Sequence, residues 1–504
     1  MPPNSSASRP LPGISGMSLY VPSPRVDLEA WCAWTENPWD KVSKVVGRSF
    51  RMPAPHENVY TMAANAVLRL ILNYDIDPTQ VGFLGLGTES STDNAAGAVI
   101  VRGMVDAALQ DLGRPRLSRH IEVPEFKHAC LGGIYALKSA LRYVVSDGAD
   151  RLAIVVSADI AEYERGSTGE QTQGAGAVAM LVERRPKMLA IDLARGGSSS
   201  AYRGPDFRKP FARHFHEAYT RQNRPGSDFP VFSGRYSTFA YLDETAQAVE
   251  AMLEKAELSA GTYYDRLRAL FFHRPYHHMP VTSMSFLMVR ALARSTHRRE
   301  ELTALCADAG VSVDDVLAET ASTPDLYAEV LKGTAEQDPY PATSRAASRL
   351  RRTNDFRTLL AEKMSLGGEK VREMGNLYSA ALPAWIAAGF EDALEQGQEL
   401  THEPMVMVSY GSGDAAEAIP MFPVPGWKDA AARIGFARSL ARARDLGRAE
   451  YEALHDGTGT LADLEPEDEF AILRVGERYE PNFQDLGVEY YGYVRASEST
   501  SPSA

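Results

Sequence analysis

The chain has 504 residues, of which 44% are hydrophobic and 24% charged, and its formal net charge is −13. These values are typical of a folded protein with one large two-lobed unit or two to three domains. The acidic balance argues against a nucleic-acid partner and against an anionic membrane surface. An anionic substrate would need a locally basic patch.

Both ends of the chain are polar and rich in Pro or Ser, so we predict mobile tails over residues 1–12 and 496–504. No apolar run reaches the roughly 18 residues that span a bilayer, and the start lacks the pattern of a secretory signal. Three cysteines, Cys32, Cys130 and Cys306, are too few and too scattered for a disulfide framework. We therefore expect a cytoplasmic protein without a membrane partner.

Short apolar runs alternate with helical stretches, which is typical of α/β architecture. Helices are predicted over 59–72 and, from apolar residues three and four apart, over 133–145. Strands buried on both faces are predicted over 81–86, 152–157, 177–182 and 405–409.

Two later regions have a different character. Residues 293–373 are charged, rich in Ala and Arg and broken by prolines, which predicts a helical insertion or surface lobe. Residues 425–494 are predicted to begin with a helix rich in Arg and Ala and to end in an aromatic strand.

Glu89 lies in a loop of Gly, Ser and Thr directly after the predicted strand 81–86. Sites of α/β proteins lie at the carboxyl ends of strands, and a shielded glutamate there acquires a raised pKa suited to moving protons. The loop taken alone fits a solvated surface acid better.

Cys130 lies just before Gly132, Gly133 and the predicted helix 133–145. The glycines allow a tight turn and close approach of a ligand. A thiol at a helix N-terminus is favoured as the reactive thiolate. This context indicates a nucleophile, and a buried structural cysteine remains the alternative.

Three histidines, His273, His277 and His278, fall within six residues after an apolar run. Their spacing does not match a zinc signature and no Cys or acidic pair accompanies them, so no metal site is predicted. His273, at the end of the run, is the candidate catalytic histidine. The other two are interpreted as pocket or surface residues.

Two further segments, 375–379 and 409–414, contain groups suited to a thioester. Asn376 can donate a hydrogen bond to a thioester carbonyl, and the turn around Ser412 can point backbone N–H groups at an oxyanion. Turns of this kind are common, so each segment alone is a weak signal.

In this order, the segments resemble the 3-hydroxy-3-methylglutaryl-CoA synthase family of the thiolase/β-ketoacyl synthase superfamily. The stretches that carry the resemblance are GTESSTD, HACLGG, SADIAEY, GAGAVAML, DFRKP, DFPVFSGRYS, FHRPY, GNLYSAA and YGSGD. The resemblance implies an α/β protein with a thiolase-like duplicated five-layer αβαβα sandwich, usually dimeric. Its halves would span 13–190, with Glu89 and Cys130, and 191–495, with the insertion at about 293–373.

The resemblance also implies roles for individual residues. Cys130 would be acylated by acetyl-CoA, Glu89 would be the general acid/base, and His273 would contact the acceptor acetoacetyl group. The backbone N–H groups of Cys130 and Ser412 would form the oxyanion hole. Positions implied to bind substrate or to support the site are Asn376, Ser412, Asp93, Asp159, Asp206, Tyr378 and Lys209. No metal or redox cofactor is implied, only coenzyme A thioesters as substrates.

The chain departs from the family pattern at three places. Leu131 stands where the family usually has an aromatic residue, and Ile134 where it usually has Thr. Both changes are expected to reshape the acyl pocket. His277 and His278 replace a common lysine near the coenzyme A path, and Arg208 and Lys209 are the candidates to take over that contact.

The favoured function is condensation of acetyl-CoA with acetoacetyl-CoA to 3-hydroxy-3-methylglutaryl-CoA, in the mevalonate route to isoprenoids. One alternative is a relative that acts on a carrier-protein-bound β-ketoacyl chain in polyketide β-branching. A β-ketoacyl synthase III-like condensing enzyme is a second, and Glu89 argues against it. A non-catalytic binding protein on the same fold is the third.

Overall fold

The computed structural model of the protein describes residues 11–91, 93, 96–209, 229–459, 461 and 463–496. The predicted tails 1–12 and 496–504 lie outside the described residues, except for 11, 12 and 496.

The strands, in chain order, are β1 (Gly13–Tyr20), β2 (Pro24–Asp27), β3 (Ser49–Arg51), β4 (Val81–Gly87), β5 (Glu125–Phe126), β6 (Leu152–Ala161), β7 (Gly174–Glu183), β8 (Leu189–Ile191), β9 (Gly197–Ser200), β10 (Ala269–Phe272), β11 (Met405–Gly411), β12 (Ala415–Pro423), β13 (Arg444–Asp445), β14 (Glu469–Val475), β15 (Tyr479–Glu480), β16 (Phe483–Gln484) and β17 (Glu489–Val494).

The α-helices, in chain order, are α1 (Leu28–Thr35), α2 (Trp39–Val45), α3 (Val59–Asn73), α4 (Gly97–Asp111), α5 (Gly132–Tyr143), α6 (Gly234–Lys255), α7 (Ala260–Arg266), α8 (His278–Ala293), α9 (Arg299–Ala309), α10 (Val313–Ala321), α11 (Leu326–Lys332), α12 (Pro341–Leu350), α13 (Asn354–Lys363), α14 (Ala381–Glu395), α15 (Trp427–Ala431), α16 (Phe436–Leu440) and α17 (Arg448–His455).

The central sheet repeats one pairing pattern twice. In the first half, β1 and β6 flank β7 antiparallel, and β4 continues parallel to β6. In the second half, β9 and β11 flank β12 antiparallel, and β10 continues parallel to β11. β1 also pairs with β8, which pairs with β12, so the halves join into one ten-stranded sheet. The predicted α/β class is confirmed, and the repeated pairing is a structural duplication.

Both faces of the first half-sheet are covered, as its apolar strands predict. Along β6, Val155 packs on the face of α5, and its neighbours Ile154 and Val156 pack on the opposite face with α3. This alternation is the two-residue period of a strand. Helix α3 begins at the N-cap Asn58, whose side chain accepts hydrogen bonds from the backbone of Tyr60 and Thr61.

The helices α9 to α13 follow α8 in the region predicted to be an insertion. α9, α10 and α12 share an apolar cluster with α8. α11 reaches back to the sheet-covering part of the second half, where Leu326 packs with Tyr236 and Phe239 of α6. Its Tyr327 lies edge-on to Tyr202, with ring centroids 4.7 Å apart. The boundaries at 190 and at 293–373 stay predictions.

The last part of the chain differs from its prediction at one point. The predicted helix at its start is two short helices, α15 and α16, because Gly435 between them has a φ of 69°. The predicted aromatic strand is β17, which pairs antiparallel with β14. No helix in the described part of the chain is long and apolar enough to cross a membrane.

Candidate active site

The loops that follow the sheet strands of both halves meet around one cavity of about 240 Å³. Five of the residues singled out from the sequence line it: Cys130, His273, Asn376, Tyr378 and Ser412. The sequence therefore identified groups that are up to 282 residues apart in the chain (412 − 130) and that share one enclosure.

Cys130 lies in the turn that leads into α5 and is only 7% exposed. Burial raises the pKa of the Cys130 thiol well above its usual value, and the carboxylates of Glu89 and Asp159 raise it further. The thiol therefore rests protonated, in contrast to the thiolate expected at a helix N-terminus, because desolvation outweighs the favourable backbone dipoles.

The turn before Cys130 has a counterpart in the second half. Ala129 has a φ of 42° and lies three residues before α5 begins at Gly132. Tyr378 has a φ of 43° and lies three residues before α14 begins at Ala381. Left-handed backbone at a non-glycine residue is costly and clusters at functional sites. The duplication thus places both helix entries at the cavity.

Glu89 follows β4 and is buried; it does not line the cavity, but its carboxylate is close enough to Cys130 to raise the pKa of the thiol. Burial raises the pKa of Glu89 to about 7, and nearby Lys209 works against this shift. Lys209 Nζ lies 3.3 Å from Glu89 Oε1. A carboxyl group with a pKa near 7 can both accept and return a proton at neutral pH.

Asp159 holds the Glu89 loop in place. Its fully buried Oδ1 accepts hydrogen bonds from the backbone N–H of Glu89, at 2.8 Å, and from the hydroxyl of Ser90, also at 2.8 Å. Its Oδ2 accepts from Ser379 N–H at 2.9 Å and from the Ser379 hydroxyl. Asp159 therefore ties the Glu89 loop of the first half to the entry of α14 in the second.

His273 follows β10 and is rigidly held. Its backbone N–H donates to Val408 O at 2.7 Å, and the Tyr241 hydroxyl donates to its carbonyl at 2.7 Å. Its ring stacks on Tyr410 with centroids 6.4 Å apart. Burial lowers the pKa of His273 to about 3, so the imidazole is neutral. A neutral ring can donate one hydrogen bond to a carbonyl oxygen without adding a buried charge.

The orientation of the Asn376 amide follows from its own loop. Its Oδ1 accepts a hydrogen bond from Tyr378 N–H at 2.9 Å. Because the oxygen is occupied in this way, the amide nitrogen is the group left for the cavity that Asn376 lines. Ser412 faces the same cavity from the turn between β11 and β12.

Asp206 supports the site from behind the cavity wall. The Tyr410 hydroxyl lies 2.9 Å from Asp206 Oδ2 and 3.1 Å from Asp414 Oδ1. Burial and the neighbouring Asp206 raise the pKa of Asp414 well above its usual value. Asp414 was not identified from the sequence as a site residue, although it ends the YGSGD stretch.

Several positions singled out from the sequence lie elsewhere. Asp93 is exposed, and its backbone N–H, not its carboxylate, contacts the Tyr60 hydroxyl. Leu131 and Ile134 are buried in the core and do not line the cavity, so they do not reshape the acyl pocket directly as expected.

The residues discussed for the coenzyme A contact also lie outside the cavity lining. Lys209 is engaged with Glu89, and Arg208 is exposed, with Nη1 donating to Gly204 O at 3.2 Å. His277 is half-buried, with Nδ1 3.1 Å from Arg274 Nη2. His278 is the first residue of α8.

The cavity has an aromatic wall, of which only Tyr378 was singled out from the sequence. Its rings pack edge to face, and the centroid of Tyr163 lies 6.3 Å from that of Phe207 and 5.6 Å from that of Phe232. The wall consists of Tyr163, Phe207, Phe232, Tyr241, Tyr276, Tyr378 and Tyr410. Most of these rings belong to the sequence stretches that resemble the family. Those stretches are therefore the signal from which the aromatic wall could have been predicted. Their bulk excludes water and causes the pKa shifts of Cys130 and His273.

One cluster among the described residues has a composition suited to a metal ion: His56, Glu57 and Glu469. Its groups are engaged with one another and with Tyr20, whose hydroxyl donates to Glu469 Oε2 at 2.7 Å and also contacts Glu57. The cluster shares no residue with the cavity lining, so it plays no part in the site.

The chain was compared with known proteins. Residues 10–187 match the model described as "Hydroxymethylglutaryl-coenzyme A synthase N terminal". The hydroxymethylglutaryl-CoA synthase of Haloferax volcanii is 26% identical over 482 residues, covering 94% of this chain and 98% of the relative. The corresponding Enterococcus faecalis enzyme is 28% identical over 265 residues, covering 52% and 61%.

Solved structures of hydroxymethylglutaryl-CoA synthases are also similar to this chain. A structure described as MvaS in complex with 3-hydroxy-3-methylglutaryl coenzyme A is 25% identical and covers 96% of this chain and 100% of that one, with a TM-score of 0.73. The curacin-pathway HMG synthase in complex with holo donor-ACP is 19% identical, with coverage of 96% and 100% and a TM-score of 0.67, and is similar in fold. The predicted thiolase-like α/β fold is confirmed.

Proposed function

Because this chain belongs to the hydroxymethylglutaryl-CoA synthase family, we propose that it condenses acetyl-CoA with acetoacetyl-CoA to 3-hydroxy-3-methylglutaryl-CoA through an acetyl-Cys130 intermediate. The observation that carries the proposal is that Cys130, which lines the cavity, is close enough to the buried Glu89 for its carboxylate to raise the pKa of the thiol, while the pKa of Glu89 itself lies near 7. The neutral donors His273 and Asn376, which line the same cavity as Cys130, suit an acceptor thioester.

In the first step, Cys130 Sγ attacks the acetyl-CoA carbonyl. The carbon–sulfur bond to coenzyme A breaks, a new thioester forms on Cys130, and the thiol proton leaves with the coenzyme A sulfur. Backbone N–H groups at Cys130 and Ser412 stabilise the oxyanion. The covalent intermediate divides one difficult reaction into easier steps.

In the second step, the Glu89 carboxylate removes a proton from the acetyl methyl group. The resulting carbanion attacks the ketone carbon of acetoacetyl-CoA, and a carbon–carbon bond forms. The ketone oxygen, held by the neutral His273 ring, takes up a proton that Glu89 returns. Asn376 holds the acceptor thioester through its amide nitrogen. Water then hydrolyses the Cys130 thioester, which frees the product and restores the thiol.

The proposal includes coenzyme A as the carrier, a homodimeric assembly and a cytoplasmic setting in the mevalonate route. Coenzyme A is preferred because the 25%-identical structure is described with 3-hydroxy-3-methylglutaryl coenzyme A. The structure described with a donor carrier protein is 19% identical and supports the fold alone. The three cysteines are buried and free, which suits a reducing compartment.

The test is the intact mass of the protein after brief incubation with acetyl-CoA, for wild type, Cys130→Ala and Cys306→Ala. Cys306 is a matched control because it is also a buried free cysteine. We expect a 42 Da adduct, about the mass of one acetyl group, on wild type and Cys306→Ala and none on Cys130→Ala. Added acetoacetyl-CoA should then discharge the adduct and release product.

Two results would count against the proposal in different ways. An adduct that survives in Cys130→Ala would remove Cys130 as the nucleophile. Acylation by acetyl carrier protein but not by acetyl-CoA would keep the condensation and replace the carrier.

A further inference from the structure

A second cleft, of about 610 Å³, lies between α3, α16 and the start of β14. Its lining shares no residue with the catalytic cavity. The cleft is larger than the catalytic cavity of about 240 Å³ and falls in the size range of small-molecule sites. No step of the proposed reaction uses it.

The cleft is positively charged in a protein whose net charge is −13. Its lining contains the arginines Arg69, Arg438 and Arg442 and one acid, Asp468, which leaves a formal charge of +2. The Asp468 carboxylate accepts a hydrogen bond from Ala496 N–H at 3.1 Å. Because the protein as a whole is acidic, this local positive excess marks where an anion would bind.

Arg69 is half-buried, whereas Arg438 and Arg442 are exposed. Arg69 Nη1 donates to Leu19 O at 3.2 Å, and its guanidinium lies 4.7 Å from the centroid of the Tyr20 ring. Within the described residues, no carboxylate lies within 4.0 Å of the Arg69 or Arg438 guanidinium, whereas Arg442 Nη2 is 3.5 Å from Glu469 Oε2. Guanidinium groups without carboxylates are ready to bind a phosphate or a carboxylate.

Asn65 provides an independent indication of a ligand. It is 2% exposed and lines the floor of the cleft. Its Oδ1 accepts from Phe470 N–H at 3.0 Å, which fixes the orientation of the amide. Its Nδ2 is buried and has no hydrogen-bond partner in the described part of the chain. Buried polar groups are rarely left unpaired without a reason such as an absent ligand or water.

The lining also contains the apolar side chains of Leu68, Leu72 and Ile434, beside the polar residues Ser18, Asn73 and Ser439. We propose that this cleft is a binding site for a phosphomonoester with a short apolar group. The dianionic phosphate matches the +2 charge of the lining and the arginines, and the apolar group packs against Leu68 and Ile434. The site is separate from the catalytic cavity.

The test is isothermal titration calorimetry of the full-length protein with n-butyl phosphate, inorganic phosphate and n-butyrate. We expect n-butyl phosphate to bind most tightly, because only it has both the dianion and the apolar group. Arg438 and Arg442 are exposed, so the double variant Arg438→Ala/Arg442→Ala should fold normally and lose about tenfold or more in affinity.

Two further variants sharpen the test. Asn65→Asp keeps the acceptor for Phe470 N–H but places a carboxylate oxygen where the unpaired Nδ2 lies, and it should abolish binding. Arg433→Ala removes an exposed arginine that is outside the cleft, and it should leave the affinity unchanged.

Unchanged affinity in the Arg438→Ala/Arg442→Ala variant, or equal losses in Arg433→Ala, would overturn the site. Equal binding of inorganic phosphate and n-butyl phosphate would overturn the apolar part of the proposal. Cys130→Ala should bind n-butyl phosphate like wild type. Loss of binding in that variant would mean that n-butyl phosphate binds in the catalytic cavity and not in the cleft.

Discussion

The two halves of the sheet present different chemistry at equivalent places. The loop after β4 carries Glu89, whereas the loop after its counterpart β10 carries His273. The turn into α5 carries Cys130, and the equivalent turn into α14 carries Ser379. One topology therefore supplies an ionisable acid and a thiol from the first half and neutral groups from the second.

Burial shifts the pKa values of Glu89 and His273 in opposite directions, but it favours the neutral form of both groups. It raises the pKa of Glu89 to about 7 and lowers the pKa of His273 to about 3, so both groups are biased toward their neutral forms. The difference is that Lys209 lies beside Glu89 and favours its carboxylate, whereas burial is the one cause resolved for His273. We infer that the first half moves protons and forms the covalent bond and the second half holds the acceptor.

The largest effect is expected for the variant Glu89→Gln, which should separate proton transfer from the acylation of Cys130. Acylation of Cys130 should persist, because the thiol proton can leave with the coenzyme A sulfur. Condensation should fall by about 10²- to 10⁴-fold, because no base remains for the methyl proton. Intact mass measures the first step, and product formation from acetoacetyl-CoA measures the second.

Asp93→Asn is the matched control for this variant, since Asp93 belongs to the same GTESSTD stretch but is exposed. Its condensation rate should equal that of wild type. A comparable loss in both variants would mean that the loop, rather than the Glu89 carboxylate, is responsible.

The second half is tested by His273→Ala. We expect normal acylation and a loss of about 10²-fold in kcat/KM for acetoacetyl-CoA, as for removal of one donor to a developing oxyanion. His278→Ala, at the start of α8 and outside the cavity lining, should change neither value. Reduced acylation in His273→Ala would contradict the division between the halves.

The sequence predicted the buried strands well, because runs such as 81–86 and 405–409 are apolar on both faces. It placed the end of the second predicted strand at 157, whereas β6 continues to Ala161. The apolar run is interrupted by Asp159, whose burial is made possible by hydrogen bonds from Ser90 and Ser379. No local pattern reveals partners that are 69 and 220 residues away.

Contacts between residues that are far apart in the chain also limited the prediction of the site. Residues with distinctive chemistry in motifs, such as Cys130 and His273, could be found from the sequence alone. The role of Lys209 beside Glu89 and the contact of Asp414 with Tyr410 depend on tertiary packing. The protonated state of Cys130 likewise depends on the aromatic wall, which is assembled from several segments.

The smallest expected effect concerns Lys209→Met. Since the base form of Glu89 is required, the condensation rate should fall as the pH drops through about 7. Lys209 lowers the pKa of Glu89, so its removal should raise that pKa and move the acid limb of the pH–rate profile upward. At pH 7 the rate should be roughly fivefold lower, because a smaller fraction of Glu89 is ionised. Single-turnover condensation from acetyl-Cys130 across pH 5.5–9, about the range over which this carboxyl titrates, measures the shift.

Arg208→Met is the matched control, because Arg208 is the neighbouring cation but is exposed. Its acid limb should stay at the wild-type pH, and so should that of His273→Ala, because the His273 ring is already neutral in this range. If the limb moved in His273→Ala and stayed fixed in Lys209→Met, the titrating group would belong to the second half. The assignment of proton transfer to the first half would then be wrong, although the covalent role of Cys130 would stand.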